Sequence, residues 1–310
     1  MLWVLILMQI VGAILSKGIS VQPSNLINVL TQVAITAAVA TGQAMVMISG
    51  GIDLSVGSIV ILSAIILGGT TSNQSTSILP HIGLVPGFLL AIVISLLIGL
   101  INGLIISRTK IPPFIVTLAM MLIVTGGTFL ATLGVPIYNM SPWFAEFGRM
   151  RLLTVPYPII LWLVIMGIAT FILSKTRFGP MLYAIGGSEK ASLLSAIDVK
   201  KIKIFVYMFS SLMAMIGGFL FIVRTYMIIP SATAGSEYIM DPIAAAVVGG
   251  ISLNGGKGTM KDVLIGILVL GFLLNLLHIM LLPPAYVQTI KGSIIIIAVI
   301  VNIYISKRRV

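Results

Sequence analysis

The 310 residues contain no cysteine, which removes disulfides, thiolate metal sites and cysteine nucleophiles together and leaves the redox compartment open. Charge is scarce as well. Only 8% of residues are charged against 59% hydrophobic, and the mean hydropathy is +1.20, too little polar surface to coat a soluble globule of this size. Acidic residues are scarcest, 7 against 18 basic ones, and Asp53 is the first of them until Glu146. The net charge of +11 does not describe a nucleic-acid face, because the basic residues sit between apolar runs, where they mark topology. Histidine occurs twice, and His278 has no second His or carboxylate at metal-ligand spacing, so no metal site is expected. Neither a Ser/His/Asp set, a GxSxG elbow nor HExxH is present, which leaves an intramembrane enzyme without a catalytic set.

Apolar runs fill the chain instead. They fall at about residues 1–16, 26–48, 56–71, 86–107, 114–133, 156–174, 202–224, 242–253, 262–281 and 286–305, most of them long enough for a hydrocarbon core roughly 30 Å thick. The expected fold is therefore all-α and polytopic, one transmembrane domain over 1–310, with about ten segments, one of them short or broken. The first run lacks a basic n-region and a small-residue cleavage site and reads as a membrane helix. Even parity puts both termini on one side. Placing them in the cytoplasm gathers Arg108, Lys110, Lys175, Arg177, Lys190, Lys200, Lys201, Lys203, Lys257, Lys261, Lys307, Arg308 and Arg309 inside, and leaves Lys17, Arg149, Arg151 and Arg224 outside. Lys291 falls within a span.

Polar interruptions carry the functional candidates. The stretch SGGIDLSVGS at 49–58 sets glycines, a carboxylate and hydroxyls between two apolar runs: Asp53 either caps a helix starting near Leu54 or stands on a transport path. A second cluster, GGISLNGGKG at 249–258, truncates the run after Asp241 to about 12 residues, roughly 18 Å of helix. Such a segment does not span alone, and broken helices bring polar backbone into protein-lined paths. The cluster is no phosphate loop: Ile251 stands five residues before Gly256, where a glycine is required, and Gly258 replaces the hydroxyl after Lys257. Gly50, Gly51, Asp53, Ser55, Ser58, Asn102, Gly249, Gly250 and Asn254 are thus the candidate lining of a path. Gln43, Asn275 and His278 are further polar groups inside spans.

The longest polar stretch, 178–203, reads as cytoplasmic. Gly186 and Gly187 suit a turn, Ser188 suits an N-cap, and Ala191, Leu194 and Ile197 recur at helical spacing behind Glu189, with Lys200, Lys201 and Lys203 following. Left alone, this is a short amphipathic helix in a loop whose lysines fix topology. Three loops on the other side, 72–87, 134–158 and 225–242, look structured; Trp143, Phe144, Phe147 and Tyr157 in the longest suit an interfacial aromatic belt.

GGIDLSVGS at 50–58, AIGGSEKASLLSAIDVKKIKIFVY at 184–207 and DPIAAAVVGGISLNGGKGT at 241–259, in that order and spacing, resemble the permease subunit of ribose-type ABC sugar importers. The broader group includes permeases for other simple sugars, autoinducer-2 and branched-chain amino acids, and the resemblance runs from about residue 20 to the end. It implies a multi-pass protein of the bacterial cytoplasmic membrane that passes a small neutral solute, a ribose-like sugar, delivered by an extracytoplasmic solute-binding protein. It further implies a second permease copy or homologous permease, and cytoplasmic ATPase subunits that hold ATP and magnesium, with no cofactor on this chain. Gly186, Gly187, Ser188, Glu189, Ala191, Leu194 and Ile197 would then form the coupling helix seated on the ATPase. The chain departs from the family pattern at Ser188, Leu193 and Ala196, where Asn, a basic residue and Gly are usual, which bears on partner pairing. The rival is a self-sufficient secondary carrier or channel, which needs a relay of intramembrane carboxylates. Only Asp53 and Asp241 are placed to supply one.

Overall fold

A computed structural model describes residues 2–73, 79–231, 233 and 235–307. Met1, residues 74–78, Ala232, Ala234 and residues 308–310 lie outside the described residues, and with them parts of the first run and of two loops, and Arg308 and Arg309 of the basic set.

In chain order the helices are α1 (Leu2–Leu15), α2 (Pro23–Ile48), α3 (Val56–Gly69), α4 (Leu84–Arg108), α5 (Pro113–Thr132), α6 (Trp143–Arg149), α7 (Tyr157–Lys175), α8 (Phe178–Gly187), α9 (Glu189–Leu194), α10 (Val199–Thr225), α11 (Glu237–Gly249), α12 (Met260–Ile279) and α13 (Pro284–Lys307). Two-residue strands β1 (Arg151–Leu152) and β2 (Val155–Pro156) form a small antiparallel hairpin between α6 and α7. Local sequence sets the boundaries. Proline in the first turn of α2, α5 and α7 supplies a helical φ where no N–H partner is needed. Thr259 and Asp262 cap α12 reciprocally.

Each apolar run read from the sequence contains a helix. Among the described residues six of these, α2, α4, α5, α7, α10 and α12, are long and apolar enough to cross a membrane. α1 and α3 have 14 residues each and α11 has 13, about 20 Å of helix, so α11 ends well short of a full crossing.

α10 is the axis of the bundle, packed against α2, α3 and α4. Close approach, not large side chains, makes the α4 contact: a Cβ at Gly99 would lie 2.6 Å from the Tyr207 carbonyl oxygen and 2.7 Å from Met208 Cα. Between apolar helices in lipid, this backbone proximity is the source of packing energy. Polar side chains fasten more distant elements. Asn25 on α2 and Asn275 on α12 exchange amide hydrogen bonds of 2.9 and 3.1 Å.

At one end of the bundle the chain folds back as a cap. Ile137 and Ile228 form an antiparallel bridge, and the Tyr226 hydroxyl donates to the Met140 carbonyl at 2.8 Å. α6 lies beneath, with Trp143, Phe144 and Phe147 around Phe219 of α10 at ring distances of 5.0–6.3 Å, and Phe88 of α4 on the same cluster. The expected aromatic belt is corrected for Phe144, which is fully buried; Trp143, Phe147 and Tyr157 stay half-buried, with Tyr157 packed on Phe147, so these rings pack on one another.

Replacing Gly99 with Val should destabilise the α4–α10 contact by about 1–3 kcal/mol. The measurement is the Tm of the purified protein in detergent; an unchanged Tm would mean that this crossing is not tight.

Candidate functional site

The polar loop between α2 and α3 is closed around Asp53, which is completely buried. Its Oδ1 accepts from the Ser55 amide at 3.0 Å and from Ser55 Oγ at 2.6 Å, while Oδ2 accepts from Ser210 Oγ of α10 at 2.9 Å. Asn102 of α4 donates to Ser55 Oγ at 3.0 Å. Gln43 of α2, with its amide oriented to satisfy both partners, donates to the Asp53 carbonyl at 3.1 Å and accepts from the Asp53 amide at 3.2 Å. Side chain and main chain of one residue therefore tie α2, α4 and α10 to the start of α3. Asp53 does not cap a helix starting at Leu54, since α3 begins at Val56; it closes a turn onto Ser55. Ser58 Oγ donates to the Ser55 carbonyl at 2.8 Å and is equally enclosed.

A few residues away, three chain segments meet main chain to main chain. α2 ends at Ile48, whose carbonyl accepts the Gly256 amide at 2.9 Å. Gly186 of α8 lies against the same pair: a Cβ there would run into the Ile48 carbonyl and the Gly256 amide. Gly255 and Gly256 hold φ of 82° and 71°, a region costly for residues with a Cβ, and each would clash with α8 if substituted. Tyr183 of α8 adds a hydrogen bond to the Gly258 carbonyl at 2.7 Å; burial, and secondarily the Asp262 carboxylate, push its phenol above the usual tyrosine range.

The expected turn at Gly186 and Gly187 is thus corrected. Both complete α8, and the chain turns at Ser188, which is extended. Ser188 does cap α9, accepting the Ala191 amide at 3.3 Å, and Glu189 pairs with Lys203 at 2.7 Å. Lys201 donates to Asp198 from its amide and ammonium, which holds that carboxyl below the ordinary carboxylate range. α9 is only six residues long, so the expected apolar face is corrected too. Leu194 is 90% exposed and Leu193 56%, with Ala191 beside them, whereas Ile197 lies past Ala196, which sits at φ 59°, and packs against the core.

The candidate path residues therefore divide. Asp53, Ser55, Ser58 and Asn102 form the closed cluster, and Gly51 lies buried beside Tyr207. Gly50, in a left-handed turn with φ 84°, sits against Gly255 in the junction. Gly249 ends α11 hard against the Asp262 main chain, Gly250 turns the chain with φ 126°, and Asn254 is exposed at the loop tip. Sequence reasoning picked out Gln43 as a polar residue in a span without its partner, and passed over Ser210 and Tyr183. The Ser210–Ser211 pair inside an apolar run was the available signal for the first.

Ser55→Cys and Ser58→Cys should stay unmodified by a hydrophilic maleimide in the isolated chain, while Asn254→Cys reacts. Asp53→Ala, which orphans buried hydroxyls, should cost about 1–3 kcal/mol in thermal unfolding, and more than Asp53→Asn. Rapid labelling of Ser55→Cys would refute the enclosed geometry.

Comparison with known proteins bears on the whole chain. Residues 25–299 match the family described as branched-chain amino acid transport system / permease component. The ribose import permease RbsC of Bacillus subtilis is 38% identical over 300 residues, 96% of this chain and 90% of its own. The L-arabinose ABC transporter permease AraH of Azospirillum brasilense is 32% identical, covering 93% and 82% of the two chains, and the fructose import permease FrcC of Rhizobium meliloti 31%, covering 98% and 84%. No solved structure matches significantly.

Proposed function

Because the chain belongs to the branched-chain amino acid transport system / permease component family, and is a multi-pass transport subunit and not an enzyme, we propose that it carries a neutral simple sugar, ribose or a close relative, as the permease of an ABC importer. The supporting observation is the near full-length similarity to permeases named for ribose, arabinose and fructose. ATP and magnesium belong to a separate cytoplasmic ATPase pair, the solute arrives on an extracytoplasmic binding protein, and a second permease, identical or homologous, completes the pore. Both termini and the 178–203 region face the cytoplasm.

In this function α9 is the docking element. Ala191, Leu193 and Leu194 present apolar surface to water, which a partner groove relieves. Glu189, braced by Lys203, orients α9 against α10. Displacement of α9 passes through Ser188 into α8, and from Gly186 straight into Ile48 and Gly256, with no compressible side chain between. The loops at Gly50–Ser58 and at Gly249, Gly250 and Asn254 are then the parts that move, lining the inner end of the solute's route.

Glu189→Lys combined with Leu194→Asp should abolish ATP-driven sugar uptake while membrane abundance stays near wild type. Unchanged uptake, with the ATPase still co-purifying, would remove α9 as the coupling element. Sugar uptake by the lone chain in vesicles without ATP would instead favour a self-sufficient carrier.

A further inference from the structure

At the opposite end of α11 from the glycine loop, a cavity of about 290 Å³ lies between α2, α10, α11, α12 and α13. Asp241 of α11 and Lys291 of α13 form an ion pair there, with side chains only 15% and 10% exposed. Taking two charges out of water costs several kcal/mol per ion, which their mutual attraction does not reliably exceed, so apolar packing would join two helices as well. Ionisable groups held inside a membrane bundle point instead to contact with a polar solute.

The surroundings say which kind. Glu237 and Arg224 also line the cavity, so two acids face two bases and no net charge is presented to a ligand. Gln32, Thr36, His278 and Gln288 add hydrogen-bonding groups of both senses. Ile267 and Leu270 supply apolar lining, and the Tyr238 ring, set edge-on to Phe221 at 5.9 Å, lines the cavity as well. Balanced charge, dense donors and acceptors and an apolar wall match a neutral molecule with hydroxyls on its rim and C–H groups on its faces. The volume, just under the roughly 300–1,000 Å³ of small-molecule sites, suits one monosaccharide ring. Asp53, by contrast, is sealed among hydroxyls that already satisfy it.

We propose that this cavity binds the transported monosaccharide, with Asp241 and Lys291 holding its hydroxyls while they remain paired. It rests on the sugar-permease function above and adds the place of contact.

The test uses the complete transporter in nanodiscs and proteoliposomes. Uptake of ribose, L-arabinose, fructose and allose identifies a transported sugar. That sugar should slow maleimide modification of Gln288→Cys, the sole thiol in an otherwise cysteine-free chain, several-fold, and leave a Thr109→Cys control unaffected. The paired variant Asp241→Asn with Lys291→Gln should raise the KM for uptake about ten-fold or more, because two charged hydrogen-bond partners are lost, with membrane abundance near wild type. Uptake without protection at Gln288→Cys, or a paired variant whose abundance falls while KM holds, overturns the cavity as the sugar's contact site and leaves the permease function standing. Uptake of none of these sugars overturns both.

Discussion

One buried carboxylate organises the centre of the bundle. Asp53 sits where no water reaches, and a carboxylate in such a place persists only if its oxygens are satisfied by the protein. The requirement recruits partners from elements far apart in the chain: Ser55 beside it, Ser210 on α10, Asn102 on α4 through Ser55, and Gln43 on α2 through the Asp53 main chain. Lipid offers little hydrophobic gain for one helix meeting another, so directional bonds of this kind and close backbone contact decide which helices are neighbours.

The glycine junction inherits that rigidity. The Gly50–Ser55 loop is pinned at one end by the Asp53 cluster and pressed at the other against Gly255, so the loop and the α8–α2–glycine-loop contact form one stiff unit. Main-chain contact transmits displacement with less slack than side-chain contact, because no rotamer can absorb it. Three sequence-distant motifs thus act as one piece.

The helices were legible because hydropathy acts over some twenty residues and lipid permits few alternatives. The glycine-rich breaks were legible for the same reason, as polar backbone that lipid does not tolerate, and the 13-residue α11 ends where its glycines begin. Pairing was not legible. Gln43, Asn275 and Lys291 announce that a partner exists without naming Asp53, Asn25 or Asp241, since that information lies in helix adjacency. The helical spacing of Ala191, Leu194 and Ile197 misled because periodicity does not see a terminus: α9 stops at Leu194, and Ala196 turns the chain before Ile197. Phe144 of α6 misled because composition does not distinguish a ring at an interface from a ring enclosed by its neighbours.

The reciprocal Asn25–Asn275 amides set a demand on biogenesis. Their positions differ by 250 residues, and at roughly 5–20 residues per second the ribosome takes about 12–50 s to travel from one to the other. For that interval α2 rests in the membrane with an amide whose final partner has not been synthesised. Water at the lateral exit, lipid headgroups or an insertase must hold it meanwhile, until α12 arrives to claim a place kept open since the second helix, with only α13 still to follow.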